Sequence, residues 1–193
     1  ERDQGAYRVQ RANVLVALQR HDEAVAELER LRPSQTGTQG ELLEVLRAFA
    51  LAARAVDTAH GDPAPVLAEA FGGAARLHFN RFFLTFPPLA ARLCQAALDR
   101  GIETEFVRAT VRQRSLPAPA RSREDWPWRL RVRVLGALAV ERDDQPLRWT
   151  GKTPRKPLEL LALLAAHGGG PIGTEAVMDA LWPSLEAQAP KAS

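Results

Sequence analysis

The stretch LRVRVLGALAVERDDQPLRWTGKTPRKPLELLALLAAHGGGPIGTEAVMDALWP, residues 130–183, changes its hydrophobic period twice, and those changes set the architecture. Leu130, Val132 and Val134 alternate with Arg129, Arg131 and Arg133, the two-residue period of a half-buried strand. Leu138 and Val140 alternate again. Asp143-Asp144-Gln145-Pro146 turns the chain, and Leu147 and Trp149 bring it back, so residues 130–149 read as a small antiparallel meander. From Pro154 the period becomes helical: Leu158, Leu161, Leu164 and Ala165 form one apolar face, ended by Gly168-Gly169-Gly170. Pro171-Ile172 predicts a short strand. Thr174 offers an N-cap, and Val177, Met178, Leu181 and Trp182 supply the core of a second helix.

Upstream, residues 116–125 (LPAPARSRED) carry two prolines and no apolar periodicity, which marks a linker and the best domain boundary. Everything before it reads as helix. Tyr7 to Leu18 form one segment, broken at His21-Asp22, and Ala24, Val25, Leu28 and Leu31 form a second, stopped by Arg32-Pro33. Leu42 to Val56 predict a longer helix that ends at Gly61-Asp62-Pro63. Val66, Leu67, Ala70 and Phe71 predict the next, loosened at Gly72-Gly73. Residues 89–115 make a last pair, with Gly101 closing its first member. Short helix pairs between tight breaks are the pattern of helical-hairpin repeats. Leu15 to Leu31 resembles a tetratricopeptide unit, and without a clean 34-residue self-match the repeats are degenerate. A non-repetitive helical bundle is the alternative.

Charge is unevenly spread. The net charge is +3, yet eight arginines between Arg108 and Arg133 face only Glu124 and Asp125. Such an excess suits phosphates, and equally a solvated helix face with a linker. Cys94, the single cysteine, lies in an apolar helical pattern and reads as a buried structural thiol. No apolar run approaches the roughly 20 residues of a membrane span. The start has neither Met nor a signal-peptide core, so a reducing cytoplasm is expected.

Several chemistries are weakened by spacing alone. Gly151-Lys152-Thr153, between strand and helix, invites a phosphate loop, but the glycine required five residues earlier is Pro146, which has no amide to donate. His21, His60, His78 and His167 show no metal-ligand spacing. Asp57 and His60 share a helix face without a nucleophile beside them. Phe79, Phe82, Phe83 and Phe86 crowd around Arg81, as core between repeats or as a groove for a peptide or small molecule. No catalytic set, metal site or cofactor is expected, and the chain is not read as an enzyme.

The quoted stretch resembles the bacterial transcriptional activator domain, an OmpR/PhoB-type winged helix also found in Streptomyces antibiotic regulatory proteins. The resemblance rests on Leu135-Gly136 at a strand end, Arg155-Lys156 opening a helix, and Ala180-Leu181-Trp182-Pro183 ending the next. It covers residues 126–193. The preceding helices, through ARLCQAALDRGIETEFVRATVRQRSL, resemble more loosely the C-terminal repeat region of MalT-like regulators. The resemblance implies a third, base-reading helix and a hairpin wing after the Trp-Pro loop. The sequence ends at Pro190-Lys191-Ala192-Ser193, about where that helix is due, so a truncated domain unable to bind DNA specifically is expected.

The expected architecture is therefore mainly α: a tetratricopeptide-like helical region (residues 1–115), a linker (116–128), and an incomplete α+β winged-helix domain (129–193). The expected function is that of a fragment of a bacterial transcriptional regulator. Lys152, Thr153, Arg155 and Lys156 are the candidate phosphate contacts, at a helix start where amides point outward. Thr174 and Trp182 join them through the resemblance, although an N-cap role and core packing, respectively, explain those two equally. Trp149, Leu158 and Leu161 are core by periodicity. The expected partners are double-stranded DNA, through the complete domain, and proteins on the helical repeats, with no membrane; a homo-oligomer is open. The competing reading is a protein-interaction scaffold in which the small domain is an adaptor that does not bind DNA.

Overall fold

A computed structural model of the chain describes residues 2–31, 37–59, 61–120, 126–149, 153–168 and 170–183, with the side chains of residues 2–4 excepted. It divides into two compact units, Glu1–Pro127 and Trp128–Ser193. The described residues are mainly helical, with one small antiparallel sheet. Among them no helix is long and apolar enough to cross a membrane.

The first unit is a succession of helices: α1 (Arg2–Ala17), α2 (His21–Glu29), α3 (Gly37–Thr58), α4 (Ala64–Arg76), α5 (Phe82–Thr85), α6 (Pro87–Leu98) and α7 (Thr104–Arg114). Neighbours in sequence pack on one another: α1 on α2, α2 on α3, α3 on α4, and α6 on α7. Four helix ends close in one way. A residue in the left-handed region follows the helix, and the next N–H reaches back five residues, satisfying a carbonyl left over at the helix end. These bonds are Arg20 N to Leu15 O (2.8 Å), Phe79 N to Ala74 O (2.9 Å), Ile102 N to Ala97 O (2.9 Å) and Leu116 N to Val111 O (3.1 Å). The left-handed residues are Gln19, His78, Gly101 and Ser115. Only Gly101 is the residue type that takes this conformation without strain.

Gly72-Gly73 behaves differently from expectation. The helix runs through both glycines to Arg76 instead of loosening there. A Cβ built on Gly73 would lie 2.5 Å from Val45 Cγ2, so this glycine lets α4 press against α3. Small residues do the same elsewhere: Ala48, Ala52, Ala53, Ala70, Ala74, Ala90 and Ala97 are fully buried. Around Phe49 the core is aromatic. Its ring stacks on Phe82 (centroids 4.3 Å apart, 11° between planes) and meets Phe71 and Phe83 edge to face at 5.2 and 5.5 Å. Cys94 is buried among α6 residues, which pushes its thiol pKa upward, as the structural reading expects. Within the stretch expected to be a linker, Leu116, Trp126 and Pro127 are buried in this unit, and Trp128 opens the second.

The second unit holds β1 (Leu130–Arg133), β2 (Ala139–Arg142) and β3 (Gln145–Pro146), in that order across an antiparallel sheet with Val132 opposite Val140. Asp143 and Asp144, both at positive φ, form the two-residue turn between β2 and β3. Helices α8 (Arg155–Ala166) and α9 (Thr174–Leu181) follow and pack on each other.

Several expectations for this unit need correction. The returning strand is only two residues long: Leu147 N still bonds to Val140 O at 2.8 Å, but Trp149 leaves the sheet and is 42% exposed instead of core. Pro171-Ile172 are irregular rather than a strand. Gly173, in extended backbone, holds the N-cap position, and Thr174 is the first helical residue, with no side-chain capping bond. Leu158 and Leu161 are half-buried rather than core, because α8 is covered chiefly by the eight-residue α9.

Candidate nucleic-acid interface

The candidate site is assembled from the beginning of α8 and the end of α9. Pro154 precedes α8, and Pro157 sits in its first turn, where a missing N–H costs nothing because no intrahelical partner exists for it. That turn presents two cations. Arg155 is almost fully exposed at 88% of its side chain. Its Nε donates to Glu159 Oε1 at 2.9 Å, while Lys156 Nζ donates to Glu159 Oε2 at 2.8 Å. One carboxylate one turn later thus holds both. The Lys156 hydrogen bond, reinforced by that from Arg155, keeps the Glu159 carboxyl below the ordinary carboxylate range.

Lys156 also links the two helices. Its Nζ donates to the carbonyl of Leu181, a C-terminal acceptor of α9 without an intrahelical donor, and it lies 5.6 Å from the centre of the Trp182 ring. A cation there also meets the negative end of the α9 dipole. Leu181 is the buried apolar residue of this junction. Trp182 does not seal the core as its aromatic body suggested. It is 38% exposed, with a face given to Lys156.

Of the residues expected from sequence, Lys156 and Trp182 are brought together and Arg155 stands beside them. Thr153 is exposed two residues ahead of α8. Thr174 is exposed at the far end of α9, about 11 Å from Leu181 along the axis at 1.5 Å per residue. Lys152 lies outside the described residues, as does His60. The arginine excess is partly spent within the sheet. Arg131 and Arg133 both pair with Glu141, and Arg142 lies 3.7 Å from Asp143.

Sequence reasoning passed over Glu159, although its spacing of four and three residues from Arg155 and Lys156 is the usual helical ion-pair signal. It also missed two networks in the helical unit. His21 Nε2 lies 3.1 Å from Asp57 Oδ2, and Arg92 bonds Asp57 Oδ1 at 3.1 Å, joining α2, α3 and α6. Glu27, buried on α2, accepts from Arg8, Arg11 and Arg30. Pairs 16 to 36 residues apart leave no local pattern. Among the described residues no three His, Cys, Asp or Glu side chains converge in a way that could hold a metal ion.

No protein-family model, curated protein or solved structure matches this chain.

Proposed function

We propose that the chain is part of a bacterial transcription regulator, in which a tetratricopeptide-like helical unit makes protein or signal contacts and an OmpR/PhoB-type winged-helix unit docks on promoter DNA. The observation that carries this reading is the exposed cationic turn of α8, Arg155 and Lys156, set beside Trp182 at the end of α9. The order of sheet, helix, helix agrees with the start of such a domain. Arg155 and Lys156 meet backbone phosphates after exchanging Glu159 for them. Thr153 and Thr174 add hydroxyl or helix-start amide contacts, and Trp182 holds Lys156 in place. These contacts position the protein without reading bases; sequence selectivity belongs to a recognition helix.

The test is duplex binding by the full-length gene product, using fragments enriched from a random-sequence library and a salt series. Log K falls by about 0.9 per neutralised phosphate for each tenfold rise in salt. The double substitution Arg155→Ala, Lys156→Ala is therefore expected to flatten that slope by about 1.8 and weaken all sequences alike. A folded protein that binds no duplex selectively overturns the proposal.

A second reading has its own observation. Leu135 is 95% exposed, and Trp128, Leu130, Trp149 and Met178 are also exposed, apolar side chains open to a protein partner. In that reading the small unit is an adaptor and Glu159 neutralises its two cations permanently. Partner binding insensitive to salt distinguishes it.

A further inference from the structure

The helical unit carries a groove that the DNA-binding proposal does not use. Two cavities lie side by side between α1 and α3, with volumes of about 290 and 310 Å³, and Ala6, Val9, Leu42 and Leu46 line both. Each is close to the low end of ordinary ligand sites, about 300 Å³.

The two halves differ in charge. The first is closed by Phe79, Arg81 and Phe82 at the start of α5, and Arg81 is the one charged residue lining it among those described. The Arg81 guanidinium has no carboxylate or hydrogen-bond partner among the described residues, whereas Arg8, Arg11, Arg30, Arg54 and Arg92 of the same unit each meet a carboxylate. Its other polar side chains, Gln10, Asn13 and Thr85, are neutral. The second half continues over Leu31 and Leu43, and among the described residues its lining is apolar apart from the neutral Gln39. A site with one unpaired cation at one end and an apolar trough leading away complements a molecule with one anionic group and an apolar tail. Guanidinium binds carboxylate through paired N–H donors, and the trough takes methylenes out of water.

We propose that this groove binds a small soluble carboxylic acid with an apolar tail, its carboxylate on Arg81 and its tail along Val9, Leu42 and Leu46 toward Leu31 and Leu43. The site belongs to the helical unit alone and does not depend on DNA binding.

Calorimetric titration of the full chain with monomeric octanoate, decanoate and octanamide tests it. Octanoate is expected to bind one molecule per chain, decanoate about tenfold tighter for its two extra methylenes, and octanamide at least about tenfold weaker than octanoate. Arg81→Gln, at an exposed position, is expected to remove the difference between acid and amide. Ala6→Trp places an indole at an exposed position that lines both halves and is expected to abolish both; Thr85→Trp, also exposed, closes the Arg81 half if Ala6→Trp melts early. Absence of binding by either acid up to about 1 mM, or acid binding unchanged in Arg81→Gln, overturns the proposal. So does binding of phosphatidylglycerol vesicles in place of the free acids, because the ligand is then a lipid surface.

Discussion

The two units solve the burial problem in opposite ways. The helical unit hides Phe49, Phe71, Phe83, Leu67 and Leu93 almost completely, and alanines between its helices bring backbones close. In the second unit Leu181 is the buried apolar residue among those described, while Trp128, Trp149, Trp182 and Leu135 keep much of their surface in water. One unit is stabilised mainly by packing; the other depends on strand pairing, one helix–helix contact and ion pairs. Loss of a side chain should therefore be felt very differently in the two.

The largest effect is expected at Phe49. Phe49→Ala removes a ring that touches three others from α4 and α5, and a cost of about 3–5 kcal/mol is expected from lost burial and the cavity left. Leu181→Ala is expected near the low end for leucine, about 2 kcal/mol, because the half-buried surroundings admit water rather than an empty cavity. Hydrogen exchange read separately at amides of α3 and α4, and of α8 and α9, measures both. Equal costs would show that the second unit is packed as tightly as the first.

A smaller effect tests the close approach of α3 and α4. Gly→Ala inside a helix ordinarily gains about 0.5–1 kcal/mol from reduced backbone freedom. At Gly73 the new Cβ would meet Val45 Cγ2 at 2.5 Å, and Val45 is itself buried. Overpacking wins, and Gly73→Ala is expected to destabilise by about 1–3 kcal/mol in urea unfolding. Adding Val45→Ala should return part of that loss. If Gly73→Ala stabilises, α4 can move away from α3, and tight packing is not what holds the helical unit together.

That glycine also shows where sequence was legible. Periodicity located the longer helices and the meander because each buries one face, which leaves a period of 3.6 or 2, whereas the four-residue α5 is too short to show one. Glycine was ambiguous. Gly101 marked a true helix end, whereas Gly72-Gly73 looked like a break and proved to be an interhelical contact. α4 ends at Arg76, and the left-handed residue that follows it is His78, whose residue type carries no such signal; the turn closes through Phe79 N to Ala74 O. The site was partly visible. Arg155 and Lys156 stood out as charges opening a helix, but the Lys156 bond to Leu181 O spans 25 residues and could not be read locally. Trp149 was placed in the core because alternation continued on paper beyond Pro146, where the sheet has already ended.

The smallest effect concerns charge rather than packing. In the helical unit, buried Glu27 and the Asp57–His21–Arg92 group tie helices together, and removing either carboxylate leaves its partners unmatched. Glu159 is a surface carboxylate whose partners are both open to water, so Glu159→Gln should barely change stability. It should change what Arg155 and Lys156 can do. With the carboxylate gone, two cations are released toward any phosphate, and non-specific duplex binding is expected to tighten a few-fold at low salt, the gain fading as salt rises. Acid acts in the same direction. Because the folded-state carboxyl lies below its unfolded value, the ion pairs are intact above the unfolded range and are lost as pH falls through the depressed one. The native protein should approach the Glu159→Gln variant in duplex affinity only on that acidic side, as fluorescence anisotropy across a pH series would show. Identical affinities at neutral pH would mean that Glu159 does not compete with phosphate, and the α8 turn would then carry its cations for a partner other than DNA.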